Sequence, residues 1–276
     1  MIIIVESGST KSDWVVLNKG GKERFETIGL NPYFHSETDV SSAILKNDSL
    51  SNLASKVTSI FFYGAGCSAG HLNEIIRKGI TAVFPNAKVS VDHDMNAAAY
   101  ATYNGVPAIA CILGTGSNSC YFDGEKVEQA VPSLGYILGD EGSGSYFGKQ
   151  VLRDFFYKSL PAAMEEELLD KGWTKDKIIE KVYREPHANV FLASFMPFIV
   201  KHKAETYVSE MVKKGFVKFL NNHVLTFSNG KDVPVNFVGS VAYFFQDELR
   251  SACVLEGVQF GKVTRRPIDG LVKFHS

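Results

Sequence analysis

The sequence predicts an α/β protein made of two similar domains, and three observations carry that prediction. A strand, a glycine-and-hydroxyl turn and a second strand occur twice, 108 positions apart. Along both halves, short apolar runs alternate with stretches of helical periodicity. The length of 276 residues exceeds one ordinary domain and fits two of about 100 to 170 residues. The boundary falls near residue 104, giving domains 1–104 and 105–276, with a helical insertion in the second and a final helix free to pack on either.

Taken in order, 1–5 is an apolar strand, 14–17 a second strand and 22–29 a third. Between the first two lies Glu6-Ser7-Gly8-Ser9-Thr10-Lys11-Ser12. Asn31 and Pro32 open a loop, and 36–45 is a short helix with a serine start. The polar stretch 46–55 is surface loop with a helical turn. Residues 57–63 form a strand that ends at Gly64-Ala65-Gly66, small enough for another backbone or a ligand to approach. Residues 72–84 carry Leu72, Ile75, Ile76, Ile80 and Val83 at helical spacing. A turn at Pro85-Asn86 leads to a strand at 87–91, and the alanine-rich 95–103 is a helix suited to a domain interface.

The same order restarts at Pro107. Residues 109–113 and 119–122 are strands around Gly114-Thr115-Gly116-Ser117-Asn118, and 125–131 is the third strand. A long helix is expected from Asp140 to about residue 158. Residues 162–183 read as one or two amphipathic helices broken at Gly172-Trp173, and 190–200 and 204–222 are also helical. Residues 233–238 form a strand ending at Gly239-Ser240, 243–252 is a helix, 254–260 has no clear period, and 267–274 is a final helix.

In the two turns, Ser7 falls on Thr115, Gly8 on Gly116, Ser9 on Ser117 and Thr10 on Asn118. A glycine turn exposes backbone N–H groups, and such a nest beside a hydroxyl suits a phosphate, although a plain hairpin closes in the same way. The repetition favours two phosphate-gripping hairpins on opposite walls of a cleft, a nucleotide clamp.

With 45% hydrophobic and 21% charged residues, the composition is that of an ordinary globular protein. A net charge of -1 makes no electrostatic case for nucleic acid or an anionic membrane. No apolar run approaches the roughly 20 residues of a membrane span, and the opening strand is not a cleavable leader. Cys67, Cys111, Cys120 and Cys253 form no C-x-x-C pair, and reduced, buried thiols in a cytoplasmic protein are expected. The seven histidines show no zinc pattern.

Several residues can carry chemistry. Asp94 either caps the helix that begins at Met95 or accepts a proton from an attacking hydroxyl, and the two roles are compatible. In Gly139-Asp140-Glu141-Gly142-Ser143-Gly144-Ser145, Asp140 can cap, but two glycines in a first helical turn each cost about 1 kcal/mol against alanine. Close approach of another backbone, or a ligand at the helix start, would justify them. Gly239-Ser240 is ambiguous in the same way. Glu6, at a strand end beside the first turn, is a candidate magnesium ligand. Asn31 is a turn residue or a substrate contact, and Lys11 is a surface lysine or a phosphate partner.

Together, ESGSTKS (6–12), GLN (29–31), HDMNAAAYA (93–101), LGTGSNS (113–119), GDEGSGSYFG (139–148) and VGSVA (238–242) resemble, in order, the BadF/BcrA-type ATPase family and its N-acetylglucosamine kinase branch. That family belongs to the acetate and sugar kinase/Hsp70/actin superfold. The resemblance implies two ribonuclease-H-like, actin-like ATPase domains flanking a nucleotide cleft. It implies an ATP- and Mg²⁺-dependent sugar kinase acting on the 6-hydroxyl of an amino sugar, N-acetylglucosamine first. The alternatives are an ATPase that activates a partner enzyme, or a kinase for glucosamine, N-acetylmuramic acid or another hexose.

Carried over by residue, Gly8, Ser9, Thr10, Lys11, Gly114, Thr115, Gly116 and Ser117 match the phosphate loops, and Gly239, Ser240 and Tyr243 the nucleotide-side segment. Asp94 matches the catalytic aspartate and Glu6 the metal-side acid. Asn31 and Asp140 match residues that hold sugar hydroxyls. The family's glycine-tryptophan segment against the sugar is here Pro132-Ser133-Leu134-Gly135, which puts Ser133 and Leu134 in that place. After Asn31 the chain reads Pro32-Tyr33-Phe34 in place of His-Trp. A homodimer is the assembly the resemblance allows.

Overall fold

A computed structural model describes residues 1–8, 10–18 and 20–276. Its contacts divide the chain into two units, Met1–Thr102 with Arg266–Ser276, and Tyr103–Arg265.

The first unit contains strands β1 (Ile2–Ser7), β2 (Lys11–Asn18), β3 (Gly21–Ile28), β4 (Ser59–Gly64) and β5 (Lys88–His93), and helices α1 (Glu37–Leu45), α2 (Asp48–Ser51), α3 (Gly70–Val83) and α4 (Asp94–Thr102). The second contains β6 (Ala108–Leu113), β7 (Ser117–Phe122), β8 (Val127–Glu128), β9 (Val235–Val238) and β10 (Phe260–Thr264). Its helices are α5 (Gly135–Leu138), α6 (Gly144–Phe156), α7 (Ala162–Asp170), α8 (Lys175–Ile179), α9 (Ala188–Ala193), α10 (Met196–Lys201), α11 (Thr206–Phe219), α12 (Ser240–Phe244) and α13 (Gln246–Glu256). Single π-helical turns follow α8 and α11. The last helix, α14 (Ile268–Phe274), belongs to the first unit.

The two sheets have one topology. The first runs β3-β2-β1-β4-β5 and the second β8-β7-β6-β9-β10. In each, the opening three strands form an antiparallel meander, and the last two lie parallel to the first. The repeated strand-turn-strand of the sequence is thus the start of a repeated five-strand sheet.

The continuous apolar run of β1 follows from burial on both faces, as expected for a strand flanked by helices on each side. Ile3, Val5, Trp14, Val16, Ile60 and Phe62 pack under α1 and α3 with Val40, Ile44, Ile76 and Ile80. On the other face Ile4, Val15 and Tyr63 pack with Ala97 and Ala101 of α4 and Ile268, Leu271 and Val272 of α14. Each large apolar side chain so buried contributes about 1.5 to 3 kcal/mol. The alanines of α4 let α14 come close: a side chain on Gly270 would start 2.2 Å from the Ala101 carbonyl oxygen. Helix α1 starts as its serine predicts, with a capping box in which Ser36 Oγ accepts the Asp39 amide and the Ser36 amide donates to Asp39. Edge strand β3 carries Lys22, Glu23, Arg24 and Glu26, charges that guard an open edge.

Some sequence expectations fail locally. The helix expected from Asp140 begins at Gly144, because Asp140 (φ 57°) and Gly142 (φ 72°) are left-handed. Ser143 caps it instead, its Oγ accepting the Tyr146 amide at 3.2 Å. The strand expected at 125–131 shrinks to Val127–Glu128, since Asp123 draws the Glu125 and Lys126 amides into a turn. The helix expected over 190–200 is two helices, and the second carries Pro197, which has no amide to donate, in its first turn. Strand β10 carries a glycine and a lysine and has no apolar run to mark it.

Candidate active site

In the first unit, pairing places Glu6 opposite both Asp13 and Tyr63, and Tyr63 opposite Asp92. These side chains form a row at the carboxyl end of the parallel strands, where open α/β sheets bind ligands. Burial pushes the Glu6 carboxyl up to about 8, helped by the charges of Asp13 and Asp94 and opposed by Lys11. The Lys11 ammonium is held within the sheet, 2.8 Å from both Asp13 and Glu26. Gly8 closes the turn, its amide donating to the Lys11 carbonyl at 2.9 Å. The carbonyl of Thr10 accepts from Gly29 at 3.0 Å. Ser9 lies outside the described residues. Buried Ser7 and Ser12 serve the frame: the Leu30 amide donates to Ser7 Oγ at 2.8 Å, and Ser12 Oγ lies 2.7 Å from it.

Asp94 is the first residue of α4, directly after β5. Its Oδ1 lies 2.9 Å from Nδ1 of His93. The Met95 amide lies 3.1 Å from the same His93 nitrogen, which accepts from it only when it carries no proton for Asp94, and Asn96 Nδ2 donates to Asp92 Oδ1 at 2.7 Å. Burial lowers the His93 pKa, but the hydrogen bond to Asp94 and the charges of Asp94 and Asp92 outweigh it, and the net shift is upward.

Buried Asn31 forms a turn, its Oδ1 accepting the Tyr33 amide at 2.9 Å and its carbonyl those of Phe34 and His35. Gly66 (φ 84°) must stay small, because a side chain there would begin 2.5 Å from Asn31 Oδ1. The small residue after β4 therefore admits the side chains of Asn31 and Tyr33.

In the second unit, the 114–117 turn joins β6 to β7. Gly114 donates to the Gly116 carbonyl at 3.0 Å, and the Ser117 amide donates to Asp140 Oδ1 at 3.1 Å. The start of α6 reaches back to the same turn, Gly144 donating to the Gly114 carbonyl at 2.8 Å and Ser145 to that of Thr115 at 3.0 Å. These first helical amides are thus satisfied by protein, and Gly144 is small because Met196, Ala193 and the Gly114 carbonyl crowd it. Among the described residues, the Thr115 and Gly116 amides are the turn's donors with no protein acceptor. Buried Ser117 Oγ also has no partner. Burial raises the pKa of Asp140, against the Ser117 hydrogen bond.

Gly239 (φ 120°) sits where a side chain would begin 2.3 Å from the Leu113 carbonyl oxygen, so the turn before Ser240 and α12 lies against the end of β6. Tyr243 is partly exposed, and the Arg265 guanidinium lies 5.4 Å from its ring centre. Ser133 and Leu134 lie on an exposed loop before α5. A groove of about 920 Å³ lined by Tyr136, Leu152, Ile178, Val182 and Leu192 holds none of these candidates.

Among the described residues, no group of three or more His, Cys, Asp or Glu is arranged as a metal cage. Glu6 and Asp13 nonetheless fit magnesium, a hard cation held by one or two carboxylates with water and phosphate oxygens. Two residues escaped the sequence reading of the site. Asp13 was legible only as a charge in an otherwise apolar strand. His93 was visible between two aspartates, but its pairing with Asp94 needs the turn from β5 into α4.

No family model matches the chain, and no curated protein does. Solved structures do. The chain is 38% identical to a candidate N-acetylglucosamine kinase from Porphyromonas gingivalis, with a TM-score of 0.92, over 100% of this chain and 98% of that one. It belongs to the N-acetylglucosamine kinase branch of the BadF/BcrA-type ATPase family. The chemistry of that branch is ATP-dependent carbohydrate phosphorylation, on the actin-like ATPase fold that the paired sheets display. Two more distant structures share the fold. One is a candidate N-acetylglucosamine kinase from Chromobacterium violaceum, at 16% identity and TM-score 0.69 over 100% of this chain and 98% of that one. The other is a ROK family glucokinase from Streptomyces griseus solved with glucose and AMPPNP, at 15% identity and TM-score 0.54 over 99% and 97%.

Proposed function

We propose that this kinase transfers the γ-phosphoryl group of ATP to the 6-hydroxyl of N-acetylglucosamine or a close amino sugar. The observation that carries the reading is Asp94, a carboxylate at the strand end whose Oδ1 lies 2.9 Å from Nδ1 of His93. Such a group takes the proton as the hydroxyl oxygen bonds to the γ-phosphorus and ADP departs with the bridging oxygen's electrons. The Thr115 and Gly116 amides are the phosphate donors of the second unit. The 6–12 segment and the 239–243 segment serve the nucleotide, and Asn31, Ser133 and Leu134 the sugar. Glu6 would hold magnesium, which when bound neutralises phosphate charge. The protein's own contribution is positioning and proton acceptance.

Four free, buried cysteines suit a reducing cytoplasm and leave none exposed to bridge an iron–sulfur cluster. Among the described residues no helix is long and apolar enough to cross a membrane. A coupled-enzyme screen of glucosamine, N-acetylglucosamine, N-acetylmuramic acid and glucose tests the reading. ADP release that needs N-acetylglucosamine supports it. Release without any sugar favours a partner-activating ATPase, and no release with any of the four overturns the amino-sugar assignment.

A further inference from the structure

Helix α5 is a weakly anchored piece of chain between Ser133 and Leu134 on one side and Asp140 on the other. None of its four residues is buried, and Ile137 and Leu138 are 71% and 74% exposed. Tyr136 alone among them packs against the core, and only in part. Left-handed Gly135 (φ 69°) opens the helix and left-handed Asp140 (φ 57°) follows it. What remains is one turn, closed by the Gly139 amide donating to the Gly135 carbonyl at 2.8 Å. A single turn does not hold itself in water, because fixing its backbone costs more than one hydrogen bond returns.

Lys149 reaches this turn from α6. Its Nζ donates to the Tyr136 carbonyl at 2.7 Å, one of the acceptors that a helix end leaves open. The base of the lysine is rigid, since Phe147, Val151, Leu152 and Phe155 of the same helix are buried in the core. Its charge also bears on Asp140: burial pushes that carboxyl up, the Ser117 hydrogen bond opposes the rise, Glu141 adds to it and Lys149 opposes it. The chain downstream is fixed without Lys149. Glu141 accepts from Asn222 Nδ2 at 2.8 Å, and a side chain on Gly142 would start 3.2 Å from both Phe216 and Phe219. The 114–117 turn is tied to the Gly144 and Ser145 amides, also independently of the lysine.

We infer that Lys149 is a positioning residue for the sugar, acting through α5: it holds the 133–139 segment in place and leaves the nucleotide turn at 114–117 alone. A lysine on the outer side of a helix is ordinarily a solvated charge; the carbonyl at 2.7 Å makes this one a tether. The inference rests on the proposed sugar-kinase function.

The test compares Lys149→Met, Lys149→Gln and Lys149→Arg with the wild-type full chain. Sugar KM is read from steady-state kinetics, ATP affinity by calorimetry without sugar, and the Gly139 amide by hydrogen exchange. Lys149→Met keeps the stem and removes donor and charge. It is expected to raise the sugar KM about tenfold to a hundredfold, the size of one hydrogen bond to a charged group, with ATP affinity nearly unchanged. Its Gly139 amide should exchange about tenfold faster than in wild type. Lys149→Gln is neutral and one bond shorter, and should repeat the loss, which keeps the test open if the methionine variant does not fold. Lys149→Arg keeps a charged donor and should restore the sugar KM to within about fivefold of wild type, with Gly139 protected again. A wild-type sugar KM in the neutral variants overturns the inference, as does an equal loss of ATP affinity or unchanged exchange at Gly139. A wild type that phosphorylates none of the four sugars would fail the proposed function, while exchange at Gly139 would still decide whether Lys149 holds α5.

Discussion

Nδ1 of His93 and Oδ1 of Asp94 are 2.9 Å apart, a side-chain pair between adjacent residues at the junction of β5 and α4. The backbone there turns from extended to helical, which lets two neighbouring side chains meet. Asp94 thereby has a fixed orientation.

Replacing Asp94 with Asn keeps the shape and removes the proton acceptor. We expect kcat to fall by about 10² to 10⁴ while ATP still binds. Steady-state kinetics with nucleotide calorimetry checks this, and unchanged turnover would reject the base assignment.

The His93 pair makes a pH-dependent contribution to stability. Since the folded-state pKa is raised, the contribution is complete below the unfolded value of about 6.5 and fades as pH rises through the folded one. The unfolding free energy of His93→Gln should therefore lie furthest below wild type in mild acid and converge with it in alkali. Denaturant titrations across that range test it, and a pH-independent gap would count against the pair.

Glu6 moves stability with pH in the same direction, although its burial is a cost and not a gain. Folded, it keeps its proton up to about 8, whereas the ordinary carboxyl loses it near 4.5. The folded state thus binds the extra proton across that window, and stability falls as pH rises through it. Glu6→Gln should gain thermal stability over wild type, by more at pH 8 than at pH 5. The same variant should lose magnesium-dependent turnover. Melting temperatures at four pH values, with activity at one, decide the matter.

In the helical insertion, Glu167 accepts from Lys171, Lys201 and His202 at 2.7, 2.8 and 2.8 Å, which holds its carboxyl down at about 2. A depressed carboxyl stabilises above its unfolded pKa and stops doing so as pH falls through the folded one. Glu167→Gln should be less stable than wild type at neutral pH and equal to it in strong acid. Acid-unfolding curves followed by circular dichroism would show the two converging.

A methyl group on Gly148 would begin 1.9 Å from the Leu192 carbonyl oxygen, where α6 crosses the end of α9. Gly148→Ala should destabilise the second unit by about 1 to 3 kcal/mol or more, because backbone must move. Urea unfolding measures it.

The paired architecture was legible because β1 and β6 are continuous apolar runs followed by the same glycine-hydroxyl turn, a local signal repeated at long range. The start of α1 was legible because Ser36 and Asp39 interact across one turn. The beginning of α6 was not: Asp140 reads as a cap, and only its pairing with Ser117, 23 positions earlier, accounts for its left-handed backbone. Strand β10 was hidden for a related reason, since it is held by β9 and not by its own pattern. For the site, types and order were readable, but partners were not. Nothing in HDM says that His93 turns to Asp94, and nothing in ESGSTKS says that Lys11 is spent on Asp13 and Glu26.

Helix α14 supplies Ile268, Leu271 and Val272 to the face of the first sheet that carries Ile4 and Val15. During synthesis, the N-terminal sheet therefore waits for its covering until Ile268–Phe274 has left the ribosome. Nascent chains stalled anywhere between β5 and that helix would display a greasy sheet face, a natural grip for chaperones and a reason for quality control to act late.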